Sequence, residues 1–174
     1  MEVDLNRLAS SLFLALIVTL PLSAQREKPV LVVSCTADKA NVTPSDSVNL
    51  TVSLENRGSS DVYMYRTLEW GWAGIGFTLT DSKGGVVRAA KHTIPLPPPP
   101  IYDKSQLVGL APGYFFGTHM VFDFSHYTLS PGVYFIQVSY QSNYPKDEGF
   151  GLPILTSANG EFRSNKIQIQ VSQR

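Results

Sequence analysis

Three side chains in the stretch THMVFDFSH are of the types that hold zinc or copper: His119, Asp123 and His126. Their spacing argues against a shared ion. Alternation of apolar residues makes this stretch a strand, which puts His119 and Asp123 on one face, about 13 Å apart along it. One ion cannot reach both unless the strand bulges. His126 falls in the following turn and can approach Asp123. The plainer reading is three polar residues on a solvated face, so no metal is expected. Cys35 is the single cysteine. As a nucleophile it would need one of these histidines as its base, and no oxyanion loop or third orienting residue is recognisable. The plainer reading is a small apolar side chain buried on the first strand. No glycine-rich phosphate loop leads from a strand into a helix, so no nucleotide is expected. No acid–base or metal set converges. The chain is therefore read as a non-enzyme without a cofactor.

Recognition chemistry is better represented than catalysis. Trp70 and Trp72, in LEWGWAG, follow Tyr63 and Tyr65, in DVYMYRTLEW. Together these four rings can form a platform for a carbohydrate or a peptide, because Trp and Tyr are the residues that anchor recognition sites. Otherwise Trp70 caps the core and Trp72 covers a sheet edge. A second candidate is IPLPPPPIYDK, with Pro95 and Pro97 to Pro100. Proline lacks a donor and cannot sit in a central strand, so this is a stiff loop or edge with polyproline II character. Pro98 and Pro99, at its centre, can enter a partner's aromatic groove or a protease cleft. As a spacer the same run would touch nothing. Asn41 and Asn49 match the glycosylation sequon, but Pro44 follows the first and Asn49 lies within a strand.

The elements that position these residues are strands. After residue 28 the apolar period is two, not 3.6. PVLVVSCT is the first strand, and NVTPSDS is a turn. In VNLTVSLEN, Val48, Leu50, Val52 and Leu54 alternate with Asn49, Thr51 and Ser53, as in a half-buried antiparallel strand. NRGSS turns again. DVYMYRTLEW and GWAGIGFTLTD are the next two strands, and SKGG is a hairpin turn leading to the short VVRAA. The proline run is read as a long crossover between sheets. Met120, Phe122 and Phe124 share one face of THMVFDF. In GVYFIQVSY, Tyr134, Ile136, Val138 and Tyr140 form the core face. NYPKDEGFGLPILTSANG is a long mixed loop. The last strand, NKIQIQVS, turns Ile167, Ile169 and Val171 inward, with Lys166, Gln168 and Gln170 outward. Pro131 and Gly132 form a tight corner before GVYFIQVSY. Tyr134 then stands where a tyrosine-corner residue would, its hydroxyl bonding backbone upstream.

Seven to eight short strands with no helix between them predict an all-β, antiparallel two-sheet sandwich over residues 25–174. The 174-residue chain is long enough for one such domain. Residues 1–24 differ. Leu8 to Ala24 form a 17-residue run without charge, followed by QREKP. This fits a secretory signal segment cleaved after Ala24, although Glu2 and Asp4 oppose the usual positive start. At 17 residues the run is also at the lower edge of a membrane anchor. The expected location is extracytoplasmic, secreted or periplasmic, and the lone cysteine then forms no intrachain disulfide. VVSC also matches a loose lipoprotein box, but Arg26, Glu27 and Lys28 separate it from the apolar run. A membrane partner is expected only if the N-terminal segment stays uncleaved or Cys35 is lipidated. Fourteen basic residues balance fourteen acidic ones, which removes the electrostatic footprint of a nucleic-acid binder.

VTPSDSVNLTVSLENRGSSDVYMY resembles the opening of bacterial extracytoplasmic immunoglobulin-like domains. LAPGYFFGTHMVFDFSHYTLSPGVYFIQVSY resembles their closing half, and GEFRSNKIQIQV their final strand. There is some likeness to the sandwich propeptides of secreted metallopeptidases and to small proteinase inhibitors. The resemblance covers roughly residues 29 to 172. It implies a fold and carries no catalytic residue, since that fold hosts many functions. The expected function is a binding or assembly module for an unknown protein or carbohydrate. The alternative is a proteinase inhibitor or propeptide-like regulator that presents loop 95–101.

Overall fold

The computed structural model describes residues 30–68, 74–90, 103–142, 144 and 150–173. Among the described residues there are ten strands: β1 (Leu31–Ala37), β2 (Asn41–Val42), β3 (Ser47–Asn56), β4 (Val62–Tyr65), β5 (Ile75–Asp81), β6 (Val86–Val87), β7 (Leu107–Leu110), β8 (Phe115–Asp123), β9 (Gly132–Tyr140) and β10 (Phe162–Val171). They form a sheet β1-β3-β8, a sheet β2-β10-β9-β5-β6 and a ribbon β4-β7. The two larger sheets enclose one core, so the all-β sandwich expected from the alternation is present.

Alternation decides which side chains fill that core. Val48, Leu50, Val52 and Leu54 of β3 are buried, as are Tyr134, Ile136, Val138 and Tyr140 of β9. Ile169 and Val171 of β10 are fully buried, while Ile167 is only half-buried. Phe122 sits at the centre of an aromatic group: it meets Phe77 and Phe124 edge-on at 5.7 and 5.0 Å and stacks on Tyr127 at 5.3 Å. Offset and edge contacts of this kind suit the ring quadrupole. Phe124 reaches the core from a 3-10 turn, Phe124–His126, rather than from the strand itself.

Several strands depart from their sequence-based limits. The reading of DVYMYRTLEW as one strand overshoots, because β4 ends at Tyr65. Arg66 still donates to Gln106 O at 2.9 Å, and Leu68 then turns into the core. VVRAA contributes only two paired residues, plus a bridge from Ala89 to Tyr127. NVTPSDS holds β2, which runs parallel to β10. Two residues cannot display a period, so β2 and β6 carry no sequence signal of their own.

The sheets are also joined by side chains. β10 has a bulge between Arg163 and Lys166. Within it, Ser164 Oγ accepts a hydrogen bond from Val138 N at 3.0 Å, replacing a lost ladder bond. The next residue is thereby turned towards the other sheet. Asn165 Oδ1 accepts from Cys35 N at 3.0 Å, and Asn165 Nδ2 donates to Cys35 O at 2.9 Å. One side-chain amide thus satisfies both backbone groups of a β1 residue, as a neighbouring strand would.

The corner before β9 has the expected bond. Tyr134 Oη donates to Ser130 O at 2.9 Å. Tyr134→Phe is expected to cost about 1 kcal/mol, the net worth of one such bond. A thermal melt checks this, and an unchanged midpoint would mean the hydroxyl does not pin the corner.

Candidate functional site

Of the four aromatic platform residues, the described structure holds Tyr63 and Tyr65. Both lie on β4, whose alternation buries Val62 and Met64 in the main core and turns the tyrosines to the other side. They are half-buried there. A second, smaller apolar cluster receives them: Leu107, Tyr144 and Ile154 are buried in it, and Phe150 and Leu152 pack around it. Tyr65 and Tyr144 have ring centroids 6.3 Å apart at 50°. Tyr63 faces Gly109 across the ribbon. Its ring occupies the space above that glycine, since a Cβ there would come within 2.8 Å of Tyr63 Cε1.

The main chain of Tyr63 fixes the third side of the ribbon. Tyr63 N donates to Pro153 O at 3.0 Å, and Leu155 N donates to Tyr63 O at 2.8 Å. The segment read as a mixed loop therefore contributes a strand-like edge, with Tyr63 and Ile154 in a parallel bridge. Tyr144, Phe150, Leu152 and Ile154 were not singled out from the sequence. The signal was the apolar LPIL inside that loop, which is too short to show alternation. Trp70, Trp72, Pro98 and Pro99 lie outside the described residues, as does the rest of the proline run up to Tyr102.

The metal candidates are separated. His119 Nδ1 lies 3.0 Å from Thr51 Oγ1, its partner on β3. Asp123 and His126 do approach, with Oδ2 and Nε2 3.6 Å apart. The Asp123 carboxyl is held below its ordinary range by hydrogen bonds from the Ser125 side chain and backbone N–H, helped by the His126 charge. Asp123 is thus caught up in capping the 3-10 turn: Ser125 N donates to Oδ1 at 2.8 Å. Among the described residues no group of three or more His, Cys, Asp or Glu is placed to hold a metal ion.

Cys35 is 2% exposed and faces the core, as the plainer sequence reading has it. Burial pushes its thiol up to about 11, which removes the thiolate at neutral pH. Lipidation would make Cys35 the N-terminus and remove Leu31 to Ser34 from β1, whose full pairing with β3 begins at Leu31. A pH effect follows. The unfolded thiol loses its proton near its ordinary value of 9.0, while the folded one keeps it up to about 11. The stability contributed is complete below the first value and is lost as pH rises through the second. Urea melts between those limits should show falling stability. A flat profile would place the thiol in water.

No protein-family model matches the chain. No curated protein matches it either. Among solved structures, a β-glucosidase from Erythrobacter marinus is similar at 13% identity and TM-score 0.42, over 83% of this chain. The chain spans only 16% of that enzyme's length. The CARDB domain of a Pyrococcus furiosus protein, solved in complex with di-metal ions, is similar at 14% identity and TM-score 0.38. The match covers 84% of this chain and 90% of that one. The solution structure of the same domain gives 14% identity and TM-score 0.39, over 84% and 97%. Scores this low carry no inference. The sandwich rests on the strand pairing itself.

Proposed function

We propose that the chain is an exported, non-enzymatic binding or assembly module built on an immunoglobulin-like sandwich, and that its contact surface is the aromatic side of the β4-β7 ribbon. The strand order supports the fold reading: three strands face a sheet whose centre is β10-β9-β5, the two-sheet division of such domains. The uncharged run Leu8 to Ala24 supports export to an extracytoplasmic compartment.

One observation carries the surface. Tyr63 and Tyr65 are held half-buried by an apolar cluster separate from the main core, and Trp70 and Trp72 follow them in the sequence. Rings held rigidly at a surface lose little entropy on binding, which makes them efficient anchors. Their chemistry fits a carbohydrate ring or an extended peptide.

The test uses the full chain against immobilised oligosaccharide and peptide panels. Tyr65→Ala and Trp72→Ala should each weaken the best hit by roughly 30-fold, the scale of a hot-spot residue. Replacing Pro97 to Pro100 with Gly and Ser should leave it unchanged. The opposite pattern would transfer the function to the proline loop and to the inhibitor reading.

A further inference from the structure

A strand at the margin of a sheet leaves half of its main-chain groups unpaired. β8 is such a margin, since its sheet runs β1-β3-β8. The hydrogen bonds at its two ends fix which half. Asn56 N donates to Tyr114 O at 3.0 Å, and Phe124 N donates to Asp46 O at 3.0 Å. In an antiparallel ladder the directly bonded residues alternate. The even-numbered residues of β8 therefore bond to β3. Phe115, Gly117, His119 and Val121 turn their N–H and C=O groups the other way. Among the described residues no hydrogen bond reaches those groups.

The other margins of the two larger sheets are guarded. β2 and β6 have two residues each, too short to offer a partner a ladder. On β1, the outward N–H and C=O of Cys35 are taken by the Asn165 amide. β8 has neither protection. It runs nine residues with no proline or lysine, and its register with β3 holds from Asp123 to Phe115 without a bulge. Phe115 and Val121 are 73% and 60% exposed on its outer face, and Gly117 between them leaves room for a neighbouring chain.

A groove of about 690 Å³ lies beside this edge, between Arg66–Leu68 and Thr118–Val121. No carboxylate lines it. Arg66 is exposed there, and its Nη1 donates to Ser105 O at 3.0 Å. Among the described residues it has no ion-pair partner. The carboxylates at the ends of the β3-β8 pair are engaged, Glu55 by Arg57 and Asp123 by Ser125 and His126. The charge therefore favours an acidic occupant. It disfavours a second copy of this chain. A symmetric β8–β8 pair centred on His119 would bring two arginines and two histidines to one seam, with no acid between them.

We propose that the free edge of β8 takes an extended peptide segment as an added strand, with an acidic side chain of that segment facing Arg66. This docking stands apart from the ribbon reading and does not rest on it. The probe is a displayed library of random dodecapeptides, selected on the full chain, from which the best binder is synthesised. That peptide should carry an acidic residue. Its binding should slow amide exchange at Phe115, Gly117, His119 and Val121 and leave Phe116, Thr118, Met120 and Phe122 unchanged. Val121→Pro removes one outward donor without touching the ladder to β3, so it should fold and weaken the peptide at least about tenfold. Arg66→Gln should weaken it about threefold, and should have no effect on a version whose acid is replaced by its amide. Methylating alternate backbone nitrogens of the peptide removes the same bonds with the protein unaltered, and should abolish binding. A methylated peptide that still binds, exchange slowed at none of the four outward amides, or a library that yields no binder would overturn the proposal. So would a dimer in sedimentation whose outward β8 amides are already protected.

Discussion

Val138→Asp is expected to abolish folding. Val138 is fully buried in β9, between β10 and β5 at the centre of the five-stranded sheet. It faces Phe77 of β5 in the register, and its backbone N–H is committed to the Ser164 hydroxyl. A carboxylate there would lose its hydration inside an apolar core. An unpaired buried charge costs several kcal/mol, against a total stability of about 5–15 kcal/mol for an ordinary domain. Gln168→Asp is the matched control, because Gln168 is exposed on neighbouring β10. It should change stability by no more than about 0.5 kcal/mol. Circular dichroism and urea titration of both variants decide the matter. Equal effects would mean that the faces of β9 and β10 have been assigned wrongly.

Gly74→Ala is expected to destabilise the domain strongly without abolishing folding, for a reason of backbone geometry. Gly74 has φ +81°, and a Cβ on it would lie 1.9 Å from Gln141 O. That oxygen belongs to the chain that closes on β5 here, since Gln141 N donates to Gly74 O at 2.8 Å. Backbone cannot rotate away as a side-chain tip can. Either the bond or the turn must break. The loss should be about 3 kcal/mol, lowering the melting midpoint by roughly 10 °C. Gly84 isolates the contact from the conformation. It has φ +85° and no atom within 4 Å of its imagined Cβ. Gly84→Ala should cost only about 1 kcal/mol, the left-handed penalty alone. If the two variants melt together, the close approach at Gly74 is not a constraint.

The sequence showed the sandwich wherever a strand was long enough to alternate. β3 and β9 each run nine or ten residues with one face buried, and their inward residues are legible in the sequence. β2 and β6 were not, because two residues have no period. The inter-sheet clamp at Asn165 was also hidden. It depends on a bulge that reverses the side-chain direction, and nothing in SNKIQ marks a bulge. The tyrosine corner was readable because Pro131, Gly132 and Tyr134 encode it locally. The candidate surface was half readable. Tyr63 and Tyr65 stood out by type, yet the residues that support them are Leu107, about 40 positions later, and others in 144–154, about 80 positions later. Such contacts are set by topology, and a single sequence carries no record of them.

The measurement that bears most directly on the account is site-specific photo-crosslinking in the native host. A benzophenone amino acid is placed at Tyr65 on the ribbon and, in a second strain, at Gln168 on the exposed face of β10. The account predicts a discrete, saturable adduct from position 65 and none from position 168. An adduct from position 168 alone would contradict it, and the contact surface would then be the outer face of the five-stranded sheet.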